Sequence, residues 1–284
     1  RFGPQTFTDL VIDISLFRPG PVKSDMIDPF LRARHGWEAV EYLHPDLEPY
    51  LAETSGVVVF HEQVLQIVAT IAGCSLAEAD EIRRAMGSRD NHPAVHGWFA
   101  SRAAAQGYDE STVQRIWKVL EAFASFGFCR AHAAAFALPT YQSAWLKTHH
   151  PAAFLAGVLT HDPGMYPKRL ILDDARNLGI TVLPLDVNAS DAVYRVEQVV
   201  DADLREHPGP GLPDGRGYGI RLALTEVKGM AEAEVSRVIA GRPYADLADF
   251  WNRAAVSRPV VERLVLVGAF DTLDEVDLPE CLVR

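Results

Sequence analysis

Ser75-Leu76-Ala77-Glu78-Ala79-Asp80-Glu81-Ile82-Arg83-Arg84-Ala85-Met86-Gly87 reads as a whole helix with its own start and stop. Ser75 and Glu78 have capping-box spacing, in which each side chain accepts a backbone N–H of the other. Gly87 suits the far end. Arg83 and Arg84 stand just before that end. The ordinary reading of two adjacent arginines is a solvated helix face. Arg89 follows at once, however, and three guanidinium groups within seven residues are costly to bring together unless an anion neutralises them. Each guanidinium fork can grip two phosphate oxygens, so a triphosphate fits the pattern.

Upstream, Val64, Ile67, Val68 and Ile71 recur at helical spacing and predict a helix from Glu62. Gly56-Val57-Val58-Val59-Phe60 reads as a strand or an extended entry to it. Residues 1–55 carry Pro19, Pro21, Pro29, Pro45 and Pro49, which predict short helices and turns. Leu16-Phe17-Arg18-Pro19-Gly20-Pro21 reads there as a rigid turn that orients Arg18. Downstream, residues 94–123 predict two helices broken near Gly107. Residues 132–158 predict one or two alanine-rich helices, with Pro139 and Pro151 as boundaries or a kink. Residues 166–178 are helical, and Gly179-Ile180-Thr181-Val182-Leu183 leaves that helix as a strand. Tyr194–Glu197 and Gly219–Leu222 are strand-like, with an exposed loop over 201–217 between them. The fold class is mainly α with a few short strands: a helical domain over residues 1–170, then a small α+β module over 171–284.

A second chemistry-bearing run is Phe126-Gly127-Phe128-Cys129-Arg130-Ala131-His132. His132 taken alone reads as structural. With Phe126 and Phe128 close by, it instead lines a slot sized for a stacked base. His149-His150 reads as a pair at a helix C-terminus, and Asp173-Asp174 as a solvated face, because neighbouring helical residues point about 100° apart. Val227-Lys228-Gly229-Met230-Ala231 followed by Glu232–Ile239 resembles a helix-hairpin-helix core. Such a hairpin offers backbone N–H groups and a helix N-terminus to a DNA phosphate. The alternative is a plain helical turn, and Ala231 in place of a second glycine weakens the hairpin reading. Leu264–Asp271 reads as a second, degenerate hairpin.

The formal charge of −11 argues against wholesale coating of nucleic acid, but net charge does not describe local patches. Residues 81–150 hold eight Lys/Arg against five Asp/Glu, a basic middle in an acidic chain. Cys74, Cys129 and Cys281 are far apart, which predicts neither a disulfide framework nor a zinc site and fits a reducing cytoplasm. No apolar run is long enough for a membrane span. The opening Arg1-Phe2-Gly3, without Met, reads as part of a longer protein.

Strings along the chain are similar to the DNA polymerase III alpha subunit family, the bacterial C-family replicases and their error-prone paralogues. They run in order: Leu16–Pro21, Glu62-Gln63-Val64, Ile82–Gly87, Phe126-Gly127-Phe128, His132–Ala137, Tyr141–Lys147, His150–Phe154, Leu183–Asn188 and Gly268–Asp271. The resemblance implies a fingers domain over residues 1–170, then the start of a clamp-binding region with a tandem helix-hairpin-helix module. It places the incoming dNTP triphosphate on Arg83 and Arg84, and the nascent base pair by Phe126 and His132. Template-primer DNA falls on Lys228, Gly229, Met230 and Arg237. Through the parent it implies a sliding clamp and other replisome subunits as partners. It also implies Mg2+ held by palm carboxylates outside this chain, with no metal held here and no membrane partner. Such a piece lacks polymerase activity by itself. Cys129-Arg130-Ala131-His132, where the error-prone group usually shows Pro-Glu-Ser-His, tilts the reading towards the replicative group. An error-prone paralogue acting in repair and a palm-less DNA-binding adaptor stay open as alternatives.

Overall fold

Val64, Ile67, Val68 and Ile71 are all buried along one side of a helix that runs His61–Ala72. Around it the first part of the chain is organised. The computed structural model describes residues 2–16, 26–123, 128–199 and 217–273, apart from the side chain of Arg89. The chain divides into two units, residues 1–142 and 143–284. As expected, the described residues are mainly helical with a small sheet.

In the first unit, α1 (Phe7–Leu16), α2 (Ile27–Arg34) and α3 (Glu48–Leu51) precede the central helix, α4 (His61–Ala72). The entry to α4 has no regular element over Val57–Val59; Phe60 is extended and makes an isolated parallel bridge to Phe128. Buried Gln63 locks this entry. Its Oε1 accepts from the N–H groups of Val59 (2.7 Å) and Phe60 (2.9 Å), and its Nε2 donates to Thr54 Oγ1 (2.8 Å). Gly73, at φ +58°, ends α4 in the left-handed conformation that glycine adopts at little cost. Next come α5 (Leu76–Ala85), α6 (His92–Ala105) and α7 (Glu110–Phe123). Buried Met86, Phe99, Ile116 and Leu120 from this region join the α4 residues in one core. Burial of each such side chain contributes roughly 1.5–3 kcal/mol. A second core gathers Phe2, Ile12, Leu16, Phe30 and Phe60 against Ala133 and Ala137 of α8 (Arg130–His149).

Pro139 lies inside α8 and does not end it, so of the two readings, boundary or kink, the boundary falls away. A proline within a helix forfeits one backbone bond, and the twenty-residue helix continues on its others.

In the second unit, α9 (Pro151–His161) and α10 (Lys168–Asn177) pack on a three-stranded sheet of order β1-β3-β2. Strand β1 (Thr181–Leu183) pairs parallel with β3 (Gly217–Arg221), and β2 (Arg195–Val199) pairs antiparallel with it. Leu155, Leu159, Ile171, Ile180 and Ile220 are buried between the layers. The loop expected over 201–217 lies outside the described residues except at Gly217. Beyond the sheet, α11 (Glu232–Ala240), α12 (Leu247–Ala254) and α13 (Arg258–Leu266) close a separate core around Phe250, Val238 and Leu264. Asn188 ties this core to the sheet's exit: its amide exchanges two hydrogen bonds with the Tyr244 backbone, both 2.8 Å. Among the described residues, no helix is long and apolar enough to cross a membrane.

Candidate functional site

The capping box at the start of α5 forms as the spacing predicts. Ser75 N–H donates to Glu78 Oε2 at 2.9 Å, and Ser75 Oγ accepts from Glu78 N–H at 3.2 Å. At the other end, fully buried Met86 anchors the helix in the core. That anchor leaves Arg83 and Arg84 on the outward side. Asp80, one turn back, holds both: its Oδ1 accepts from Arg83 Nε at 3.0 Å, and its Oδ2 pairs with Arg84 at 2.6 Å. The Arg83 guanidinium, followed by that of Arg84, keeps the Asp80 carboxyl below its ordinary range. The two arginines differ in reach. The Arg83 side chain is 23% exposed and that of Arg84 73% exposed. Arg84 is thus the open fork and Arg83 the braced one.

Arg83 also acts on His61 at the start of α4. Burial, then the positive field of Arg83, lowers the His61 pKa from its ordinary value. The same turn of α4 holds the described part of the second predicted run, from Phe128 on. His61 N–H donates to the Phe128 carbonyl at 3.0 Å. The Glu62 carboxylate accepts from the Arg130 N–H at 3.0 and 3.1 Å, and Arg130 pairs with Glu53 at 2.6 Å. His132, in the first turn of α8, is exposed and sits edge-on between Phe128 (5.3 Å) and Phe136 (4.7 Å). It therefore belongs to an open aromatic strip. Phe126 lies outside the described residues, as do Arg18 and the rest of Phe17–Pro21. The first turn of α4, at His61 and Glu62, receives Phe128 and Arg130, and His61 lies within the electrostatic reach of Arg83. Sequence reading gave neither His61 nor Glu62 a role, although Glu62 opens one of the family strings.

His149 and His150 lie against Trp145, with ring centroids 4.5 and 5.5 Å apart. Asp173 pairs with Arg176 and Asp174 with Lys147, each at 2.7 Å, so that face is ion-paired and solvated. Among the described residues, no three His, Cys, Asp or Glu side chains gather as a metal site needs.

In the second unit, Val227–Ala231 forms a tight turn into α11. Gly229 has φ +83°, and a Cβ there would come within 2.9 Å of Arg263 Nη1. Lys228 is exposed; its carbonyl accepts from Arg263 Nη1 at 2.6 Å. Met230 is half-buried on the core, and its N–H returns to the Val227 carbonyl at 3.1 Å. Ala231 has φ −82° and ψ 153°, ordinary extended backbone. The position does not need glycine, so alanine leaves the turn's shape intact. Arg237 reaches back from α11 to the carbonyls of Ala254 (3.3 Å) and Ala255 (2.9 Å).

The run read as a second, degenerate hairpin, Leu264–Asp271, lies at the end of α13, and residues 274–284 after it are outside the described residues. Leu264–Leu266 is the end of α13, and the chain then turns at Gly268, φ +73°. Two helices joined by a tight turn are also found at α12, Ala255-Val256-Ser257 and α13. Ala255 takes the left-handed conformation, φ +48°, without being glycine. That missing glycine is why the pattern was not visible.

The comparisons follow these two units. Residues 1–107 match the bacterial DNA polymerase III alpha subunit finger domain, and residues 179–276 match a helix-hairpin-helix motif. The chain is 40% identical to an error-prone DNA polymerase of Symbiobacterium thermophilum, over 96% of this chain and 26% of that relative. A relative of the same name from Bdellovibrio bacteriovorus is 37% identical, over 96% of this chain and 25% of its own length.

The chain belongs to the DNA polymerase III alpha type.

A third error-prone DNA polymerase, from Corynebacterium efficiens, is 37% identical over 96% of this chain and 24% of its own. The alpha-type chain described here thus spans about a quarter of the length of the curated relatives it matches. The finger-domain match contains Arg83, Arg84, His61 and Glu62; the helix-hairpin-helix match contains both tight turns.

Proposed function

We propose that this chain is the fingers and helix-hairpin-helix part of a DNA-directed DNA polymerase. In this reading the fingers domain takes residues 1–170 and the DNA-binding module, at the start of a clamp-binding region, residues 171–284. Arg84 meets the triphosphate of the incoming dNTP, and Arg83, braced on Asp80, supports it. Phe126 and His132 lie by the nascent base pair. Lys228, Gly229 and Met230 approach the backbone of template-primer DNA, with Arg237 holding the neighbouring turn. One observation carries the reading: two guanidinium groups at a core-anchored helix end, one of them largely open. A guanidinium fork in that position can take phosphate oxygens without rearranging the fold.

The relatives named above are error-prone DNA polymerases, which favours that paralogue, acting in repair, over the replicative one. Phosphoryl transfer in the parent would draw on Mg2+ to stabilise developing charge, held by carboxylates of the parent outside this chain. The sliding clamp and other replisome subunits are partners of the parent, and the setting is the cytoplasm.

Single-nucleotide incorporation by the full-length parent on a primed template tests the assignment. Loss of a charge-assisted hydrogen bond, worth about 1.5–3 kcal/mol, should raise the nucleotide KM of Arg84→Ala by roughly ten- to a hundredfold with little change in DNA affinity. An unaltered KM in both Arg84→Ala and Arg83→Ala would remove the triphosphate role. An Asp-x-Asp palm motif in the parent's reading frame would separate the enzyme from a palm-less adaptor.

A further inference from the structure

The two tight turns of the second unit obey one spacing rule. Each has a left-handed residue (Gly229, Ala255), then an apolar residue (Met230, Val256), then a helix N-cap (Ala231, Ser257). Six residues past each N-cap stands an arginine, Arg237 or Arg263. Each arginine ties down the other turn. Arg263 Nη1 donates to the carbonyl of Lys228, the residue before Gly229; Arg237 Nε donates to the carbonyl of Ala254, the residue before Ala255.

The rule breaks at one place. Three residues past the first N-cap is Glu234, and three past the second is Val260, buried in the core. Valine cannot accept the N–H that a capping-box glutamate would take. Glu234 supplies the acceptor for both turns. Its Oε2 accepts from Ala231 N–H at 2.9 Å, and its Oε1 accepts from Ser257 N–H at 2.8 Å. The residue is 8% exposed, so few waters compete for either oxygen. Both N–H groups are thereby taken, and each lies at a helix N-terminus whose dipole a phosphate would approach.

We infer that Glu234 is a positioning residue that couples the two turns into one two-headed phosphate grip, with Arg237 and Arg263 as crossed ties. The inference rests on the DNA-binding reading above and extends it: both turns engage the duplex together, at a separation fixed by one buried carboxylate. A duplex held this way gives up more counterions than a duplex held by one turn. Loosening the carboxylate should therefore lower both affinity and salt dependence.

The test is fluorescence anisotropy of the whole chain on a short labelled duplex across a salt series. The variants are Glu234→Gln, Arg237→Lys and Arg263→Lys, each checked by circular dichroism. The glutamine keeps one acceptor oxygen and turns an N–H towards the second donor. Each lysine keeps its charge and loses the fork. Glu234→Gln should weaken binding roughly tenfold and flatten the salt slope by about 0.9 for each phosphate that is no longer engaged. The lysine variants should show the same flattening to a smaller degree, and they carry the test if Glu234→Gln does not fold. Folded variants that bind with wild-type affinity and slope contradict the inference. So does weaker binding at an unaltered slope, which marks a general loss of stability. A wild-type chain that binds no duplex removes the DNA-binding reading itself, and the inference with it.

Discussion

Two arginine pairs, one in each unit, are held in opposite ways. In the first, Arg83 and Arg84 share one carboxylate, and Arg84 keeps most of its surface in solvent. In the second, Arg237 and Arg263 donate to backbone carbonyls of neighbouring turns. A guanidinium that satisfies carbonyls fixes shape; one tethered at a single edge remains a ligand for an anion. The first unit therefore offers side-chain charge, and the second offers backbone geometry. This difference also fits the charge count: residues 176–284 carry twelve Lys/Arg against eighteen Asp/Glu, too few for binding by bulk attraction.

The sharpest break between the units should appear when they are taken without the rest of the parent. Purified chain should give no template-dependent primer extension with or without magnesium, while still binding duplex DNA. Extension above a mock purification would overturn the assignment of chemistry to residues elsewhere in the parent.

The next effect concerns backbone shape in the second unit. Gly229→Val forces a β-branched residue into positive φ, disfavoured for any L side chain, and drives it into Arg263. Duplex affinity at low salt should fall by roughly tenfold, the loss of one charge-assisted phosphate contact of about 1.5 kcal/mol. Lys228→Glu, exposed and without strain, should cost less and show mainly as a flatter salt dependence, by about 0.9 for one phosphate. Wild-type binding by both folded variants would reduce the hairpin to a plain turn.

The smallest effect is one of pH, and it bears on stability in the first unit. Asp9 is buried; it pairs with Arg34 at 2.7 Å and caps α1 by accepting from Gln5 and Thr6 N–H. The Arg34 hydrogen bond in particular holds its carboxyl well below the usual range. A carboxyl depressed in the folded state stabilises fully above its unfolded pKa, about 3.9, and loses that contribution as pH falls towards the folded value. Thermal melts should thus lose stability below about pH 4, and Asp9→Asn should flatten that acid limb. An identical limb in the variant would show that the pair contributes nothing to it.

Much of this was legible in the sequence because local rules decide it. Ser75 and Glu78 set the start of α5, and the Val64–Ile71 periodicity set the buried side of α4. Other features depend on residues far apart. No spacing signals that Glu62 receives the Arg130 N–H, or that Glu234 serves Ser257, because those partners meet only in the fold. The second turn was missed for a different reason: alanine occupies a left-handed position that sequence rules reserve for glycine. Pro139 left a boundary and a kink both open, and the helix runs on through it because an exposed stretch tolerates the loss of one bond.

The central claim is that side-chain charge at Arg84 serves the nucleotide and backbone shape at Gly229 serves the duplex. One crossed measurement on the full-length parent tests it: nucleotide KM and primer-template Kd for Arg84→Ala and Gly229→Val side by side. The account predicts a raised KM with near-normal Kd for Arg84→Ala, and a raised Kd with near-normal KM at saturating DNA for Gly229→Val. Both variants changing both constants alike, or each changing the other's constant, would contradict it.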